Sequence, residues 1–142
     1  MPSGNSVAAM VLVRLAKLTG ESCWQRGADR QLRFLAGAMQ FHPAGHCFGQ
    51  LALALALYPG RQLICAGPAV PEELRAYSRT RPALGLDILY KSPENEKVLA
   101  QCAPFTESYP VPQQGTVWYL CENGACRAPV TDWKQLHLPE KF

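Results

Sequence analysis

Residues 116–133 read TVWYLCENGACRAPVTDW and combine a strand signal with a turn signal. Its first part, 117–120, consists of aromatic, branched and aliphatic residues, which predicts a β-strand. Cys121 and Cys126 then enclose an Asn-Gly dipeptide, which favours a tight turn because glycine adopts positive φ freely and asparagine tolerates it. The stretch therefore predicts a strand that runs into a tight turn flanked by cysteines.

Strand signals also precede this stretch. The sequence predicts a strand at Gln62–Gly67, a helix at Val70–Thr80, a strand at Leu86–Tyr90, a helix at Glu94–Gln101 and a proline-rich loop at Pro104–Gln114. A strand, a helix and a second strand in this order predict a βαβ unit with a parallel strand pair. After the turn, Pro129 ends regular pairing, and Thr131 or Asp132 suits the cap of a short final helix.

The first half of the chain predicts helices instead. Apolar residues and strong helix formers indicate helices at Val7–Leu18, Glu21–Phe41 and Ala44–Tyr58. The link Thr19-Gly20 is short, so the first two helices should form an antiparallel hairpin. Asn5 or Ser6 suits the N-cap of the first helix, and Gly20 suits its C-cap. The predicted fold class is α+β, with a helical segment at 1–60 and a small α/β lobe of about three strands at 61–142.

Composition and charge limit the function classes. The chain has 142 residues, of which 48% are apolar and 18% charged, which is typical of a soluble globular protein. The net charge of +3 is small. Arg26, Arg30 and Arg33 have the spacing of a solvated helix face, so no nucleic-acid partner is expected.

Two apolar stretches lack the features of a targeting or membrane segment. Residues 34–60 carry no charge, but their continuous apolar part is only 51–58, whereas a membrane span needs ~20 apolar residues. The first predicted helix contains Arg14 and Lys17, and no cleavage site follows it, so no secretory signal is indicated. We therefore expect a cytoplasmic protein without membrane association.

The sequence contains two motifs, one in each half of the chain. The C-terminal motif comprises Tyr119, Cys121, Glu122, Asn123, Ala125, Cys126, Pro129, Val130, Thr131 and Asp132, and the N-terminal motif comprises Pro2–Ser6, the helix Val7–Leu18 and the link Leu18-Thr19-Gly20. Together they resemble the spermatogenesis-associated, thioredoxin-domain-containing protein family. The motifs occur in family order and at roughly family spacing, so the resemblance covers nearly the whole chain. Family members are longer, with a thioredoxin-like domain followed by an (α/α)6 toroid similar to sugar epimerases and six-hairpin glycosidases.

The resemblance implies that this chain corresponds to the last part of such a toroid and its C-terminal extension. In toroids of this type, loops at one end of the inner helices line the substrate cavity. Ser3, Asn5 and Ser6 are therefore candidate substrate-binding residues for a carbohydrate, and the alternative is a simple helix N-cap. About three helices supply only part of the cavity, so the chain alone should be inactive, with no cofactor. The expected partner is an upstream fragment of the same toroid or a second copy.

Six cysteines suggest a disulfide framework at first sight. They are Cys23, Cys47, Cys65, Cys102, Cys121 and Cys126. The cysteines are scattered along the sequence, and no secretion signal is indicated, so reduced thiols are expected. For Cys121 and Cys126 the alternatives are a structural role (turn packing or a local disulfide), thiol chemistry, or metal binding. No second pair completes a zinc ligand set.

His42 and His46 are the remaining candidate ligands. A His-x3-His spacing binds zinc on a regular helix, but Pro43 and Gly45 disrupt the helix between them, so a solvated or capping role is expected and no metal. The sequence thus leaves three hypotheses for function. They are a fragment of a carbohydrate-related toroid, a non-catalytic interaction module that pairs with an upstream fragment, and a thiol-redox accessory acting through Cys121 and Cys126.

Overall fold

The computed structural model describes residues 3–58, 60–80, 85–122 and 124–138. The chain divides into two compact units, Met1–Pro59 and Gly60–Phe142, and each is described by itself. Helical hairpins form the first unit and a mixed β-sheet with helices forms the second, so the predicted α+β fold is confirmed. Within the described residues, no helix combines the length and apolarity needed to cross a membrane.

The first unit contains three α-helices. They are α1 (Gly4–Thr19), α2 (Ser22–Phe41) and α3 (Cys47–Leu57), with a 3-10 turn at Pro43–His46 before α3. The single helix predicted over Ala44–Tyr58 is wrong in its first turn, because Pro43 fixes a tighter 3-10 start. Gly20 has φ 71° and donates its N–H to Ala16 O, which confirms the predicted C-cap.

The predicted N-cap of α1 is wrong. Ser3, not Asn5 or Ser6, has the extended backbone of a cap, and its hydroxyl accepts from the backbone N–H of Ser6. The helix therefore begins at Gly4, three residues before the predicted start at Val7. Asn5 and Ser6 lie in its first turn. The sequence does not distinguish them from Ser3 as caps, because serine and asparagine have similar capping chemistry.

The core of the helical unit is small and rich in alanine. Its buried apolar cluster consists of Ala9, Leu35, Met39 and Ala52. The small side chains of Ala9 and Ala52 let the helices approach closely, but they bury little apolar surface. At the end of α3, the Lys17 ammonium donates to the carbonyls of Leu55 and Tyr58, which have no partner within the helix.

The second unit is built on a four-stranded sheet. Its elements are β1 (Arg61–Ala66), α4 (Glu72–Thr80), β2 (Leu86–Lys91), α5 (Glu96–Cys102), β3 (Val117–Glu122) and β4 (Ala125–Cys126). The strand order is β2-β1-β3-β4. The pair β1/β2 is parallel, as the βαβ prediction requires, and the pairs β1/β3 and β3/β4 are antiparallel.

Two connecting segments differ from a plain loop. The loop predicted at Pro104–Gln114 begins with a 3-10 turn at Pro104–Ser108, so the prediction is wrong for that half. A second 3-10 turn, Trp133–Gln135, follows the sheet, and the Asp132 carboxylate accepts from the backbone N–H of Lys134 at its start. This is the short, Asp-capped final helix that the sequence predicts.

Strand alternation assigns the sheet residues to two buried faces. One face carries Leu63, Cys65, Leu86, Trp118 and Leu120 and packs against Leu74 of α4. The other carries Ile64, Ala66, Tyr119 and Cys121 and packs against Phe105 and Tyr109. The central strand β1 is buried on both faces, which explains its nearly continuous apolar run.

Gly67→Ala should destabilise the sheet unit by about 1–3 kcal/mol, the usual cost of overpacking. Gly67 follows β1, and a Cβ at this position would lie only 2.8 Å from the Gly115 carbonyl oxygen. Gly37→Ala is the control: it lies in α2 with no atom within 4 Å of the added Cβ, so it should stabilise by about 0.5–1 kcal/mol. Chemical denaturation measures both, and equal stability of Gly67→Ala and wild type would contradict the close approach.

Candidate functional site

The cysteines of the C-terminal motif form a disulfide across a β-hairpin. Glu122 pairs with Ala125 at the hairpin end, and Cys121 lies directly opposite Cys126. Directly opposed residues project from the same side of an antiparallel pair, so the two sulfurs meet and bond. Gly124 has φ 77°, in agreement with the predicted turn, while Asn123 lies outside the described residues. A local disulfide was one of the alternatives that the sequence left open.

The expectation of reduced thiols is wrong for this pair. It holds for the other four cysteines, Cys23, Cys47, Cys65 and Cys102, which are free. Burial raises the pKa of the Cys65 thiol to about 12, so this thiol stays protonated and unreactive. A hydrogen bond to the Glu21 carboxylate raises the pKa of the Cys23 thiol. Neither thiol has the lowered pKa of an activated nucleophile.

The two ends of the disulfide differ in their access to solvent. Cys121 is 2% exposed and packs in the sheet core with Ile64 and Tyr119. Cys126 lies on the short edge strand β4 and is exposed. An external thiol can therefore approach the sulfur of Cys126 more readily than that of Cys121.

The phenol of Tyr109 lies against the disulfide. Its hydroxyl oxygen is 3.3 Å from Cys121 Sγ and also within hydrogen-bonding distance of Cys126 Sγ. Because disulfide sulfurs carry no hydrogen, the hydroxyl is the donor. Its ring packs on that of Tyr119, with the ring centroids 4.5 Å apart. Burial raises the pKa of Tyr109, so the phenol is protonated near neutral pH and available to donate.

A buried lysine holds the segment that carries Tyr109. Lys91 ends β2 and is 4% exposed. Its Nζ donates to the carbonyl oxygens of Thr106 and Tyr109, each at 2.7 Å. These carbonyls end the 3-10 turn Pro104–Ser108, where the backbone dipoles favour a cation. The ammonium therefore fixes the backbone of Tyr109 against the sheet.

An ion-pair cluster flanks the hairpin on its solvent side. The Glu122 carboxylate contacts Arg61 Nε at 2.7 Å and Arg127 Nη2 at 3.0 Å. Arg127 also donates its backbone N–H to Leu120 O at 3.0 Å, one pair beyond the disulfide. Because the side chains are partly exposed, each ion pair contributes about 0–1 kcal/mol, but together they link β1, β3 and the chain after β4.

The predicted substrate-binding residues lie together at the start of α1. Ser3 Oγ and Ser6 Oγ are 2.9 Å apart and share a hydrogen bond. Gln31 Nε2 donates to both the backbone carbonyl and the side-chain oxygen of Asn5, at 3.1 and 3.3 Å. Ser6 is 2% exposed, whereas Ser3 and Asn5 are exposed. The geometry commits Ser6 to helix packing and leaves Ser3 and Asn5 at the surface, and their substrate role stays a prediction.

The histidines predicted as unlikely ligands are placed around the 3-10 turn before α3. His42 precedes that turn and His46 ends it, and the Cys47 thiol donates to Ala44 O at 3.1 Å. Among residues 3–58, 60–80, 85–122 and 124–138, no three His, Cys, Asp or Glu side chains are grouped so that they could hold a metal ion.

Sequence reasoning missed Tyr109 and Lys91. Tyr109 lies in a proline-rich segment without periodicity, and Lys91 follows a predicted strand like an ordinary solvated lysine. No local pattern marks either residue, because their roles depend on contacts to distant parts of the chain. Comparisons with protein-family models, curated proteins and solved structures gave no match. The family resemblance therefore stays a prediction.

Ser3→Ala should lower the free energy of unfolding of the helical unit by about 1 kcal/mol, because it removes the N-cap hydroxyl. Asn5→Ala should change it by less than about 0.5 kcal/mol, since Asn5 is exposed and alanine favours the helix. Circular dichroism at 222 nm during chemical denaturation distinguishes the two. A larger loss for Asn5→Ala would mean that Asn5 provides the cap.

The double variant Cys121→Ala/Cys126→Ala should lose about 2 kcal/mol of stability. The disulfide joins residues five apart in sequence, and closure of so short a loop gives only this entropic gain in the denatured state. Reversible denaturation of the sheet unit measures the loss, and wild type kept in excess reductant should lose the same amount. Unchanged stability in both samples would show that the disulfide does not constrain the denatured chain.

Proposed function

We propose that the helical unit Met1–Pro59 is an interaction module completed by further α-helical hairpins. The observation that carries the proposal is the exposure of large apolar side chains on all three of its helices. Val7, Val11, Phe34, Phe41, Leu51, Leu57 and Tyr58 are called the exposed apolar set. The occupant proposed for these faces is a complementary helical fragment of the same toroid, as the family resemblance suggests.

On α1 and α2, the exposed apolar set follows helical spacing. On α2, Phe34 is 61% and Phe41 86% exposed, and a separation of seven residues places both on one side of the helix. On α1, Val7 and Val11 are one turn apart and are 41% and 49% exposed. Helices α1 and α2 therefore each present an exposed apolar stripe in addition to the residues that they bury in the core of the unit.

Two physical arguments favour a partner over a solvated surface. Full burial of one phenylalanine contributes about 1.5–3 kcal/mol, so two such side chains on one stripe provide a substantial driving force for association. Large exposed apolar patches in soluble proteins usually mark interaction surfaces. The sheet unit gives an internal comparison, because Val98 is the one large apolar side chain among its described residues that is strongly exposed.

The carbohydrate-related role is proposed for the completed ring and rests on the resemblance together with the polar residues Ser3, Asn5 and Ser6 at the start of α1. Three helices supply only part of an (α/α)6 wall, so we propose that this chain alone is not catalytic. Ser3 and Asn5, whose side chains reach the surface, are the proposed contacts to sugar hydroxyls. The proposed compartment is the cytoplasm.

The double variant Phe34→Gln/Phe41→Gln tests the interaction module. Wild type should self-associate at micromolar concentration and bind the dye ANS, because a second copy is the available cover for the exposed apolar set. The variant should associate at least about tenfold more weakly and bind less dye, since two phenylalanine contacts are lost. At concentrations where wild type is monomeric, the thermal stability of the variant should equal that of wild type, because both side chains are exposed.

Light scattering coupled to size-exclusion chromatography measures the association. Val98→Gln is the matched control, because Val98 is 62% exposed but lies on α5 of the sheet unit. It should leave the association unchanged. A wild-type chain that stays monomeric without binding dye would refute the interaction module.

A further inference from the structure

We propose that the Cys121–Cys126 disulfide is a thiol–disulfide exchange site that accepts two electrons from a dithiol, with Cys126 Sγ as the sulfur attacked and the Tyr109 hydroxyl as the proton donor. This inference concerns the sheet unit and does not depend on the function proposed for the helical unit. The reductant is identified by its chemistry alone, as a molecule or protein that carries two neighbouring thiols.

Solvent access identifies the sulfur that is attacked. Exchange requires a thiolate to approach one sulfur along the line of the bond, on the side away from the other sulfur. Cys126 is exposed on the edge strand β4, whereas Cys121 is 2% exposed in the sheet core. An incoming thiolate therefore reaches Cys126, and Cys121 becomes the leaving group.

The position of Tyr109 suits proton transfer to the leaving sulfur. Its hydroxyl contacts both sulfurs, Cys126 Sγ more closely and Cys121 Sγ at 3.3 Å, so rotation of the O–H bond can deliver the proton to Cys121 Sγ as negative charge develops on that atom. Like any phenol, it is protonated at neutral pH. The ring rests on Tyr119, and Lys91 holds the backbone carbonyl, so the hydroxyl is fixed in place before a reductant arrives.

The exchange balances in two steps. In the first, a thiolate of the reductant bonds to Cys126 Sγ, the bond between the two cysteines breaks, and Cys121 Sγ takes the electron pair and the Tyr109 proton. In the second, the other thiolate of the reductant attacks the reductant sulfur that is bonded to Cys126 Sγ and releases Cys126 as a thiolate. The two protons that the reductant lost on ionisation reprotonate Tyr109 and protonate Cys126. The reductant ends as a disulfide and the hairpin as two thiols.

Other contacts keep the hairpin closed when the disulfide is open. Trp118 exchanges two backbone hydrogen bonds with Val130, at 2.8 and 3.1 Å, and Arg127 donates to Leu120 O. The ion pairs of Glu122 with Arg61 and Arg127 add to this closure. Because these contacts do not involve sulfur, the two thiols stay opposite each other after reduction and can form the disulfide again. The site is therefore built for reversible exchange.

The first experiment measures the rate at which dithiothreitol reduces the disulfide in the full chain, followed by alkylation and mass spectrometry. Tyr109→Phe keeps the aromatic ring and removes the proton donor, so the rate should fall roughly tenfold or more. Tyr90→Phe is the matched control, because the Tyr90 hydroxyl donates to Gly67 O and its ring packs on the other face of the sheet, and its rate should equal that of wild type. A Tyr109→Phe rate equal to or above that of wild type would overturn the role of the phenol.

The second experiment identifies the sulfur that is attacked and does not use a tyrosine variant. Cys121→Ser and Cys126→Ser each leave one thiol of the pair, and both are treated with oxidised glutathione and mapped by peptide mass. Cys126 in the first variant should form the mixed disulfide at least tenfold faster than Cys121 in the second. Equal or reversed rates would overturn the assignment. Neither experiment measures self-association of the helical unit, so either proposal can be refuted without affecting the other.

Discussion

The sheet unit depends on the position of β1, a six-residue strand that is paired along both edges and buried on both faces. Its register aligns Ala66 with Lys91 on one side and Gln62 with Cys121 on the other. Side chains alternate between the faces, so Lys91 and Cys121 share the face that Tyr109 covers. The pairing of β1 thus brings together a buried cation, a phenol and a disulfide whose residues are far apart in sequence.

The helical unit obeys a different constraint, because its core is made largely of small residues. Ala9 and Ala52 allow close helix packing and bury little apolar surface, while Phe34 and Phe41 remain outside. A helix that is apolar on more than one side requires neighbours on more than one side. The chain therefore combines a sheet that is buried on both faces with helices that expose large apolar side chains.

The disulfide shows how local and distant interactions combine at one site. The hairpin places Cys121 opposite Cys126 through its short turn, and this part of the geometry follows from the local sequence. The donor hydroxyl comes from Tyr109, 12 residues before Cys121, and the cation that fixes it comes from Lys91, 18 residues before Tyr109. The disulfide alone would only stabilise the hairpin, whereas the fixed Tyr109 hydroxyl also provides a proton donor.

The amino-acid sequence by itself determined the α-helices and the three longer strands, the βαβ order, the Gly20 cap and the cysteine-flanked turn, because periodicity and turn chemistry act over a few residues. It left open whether Cys121 and Cys126 are bonded. It also misplaced the N-cap of α1, because Ser3, Asn5 and Ser6 have similar capping chemistry and only Ser3 occupies the cap position. Only the tertiary structure decided the sheet register, the burial of Lys91 and the approach of Tyr109 to the sulfurs. Those features depend on contacts between distant segments, which no local pattern encodes.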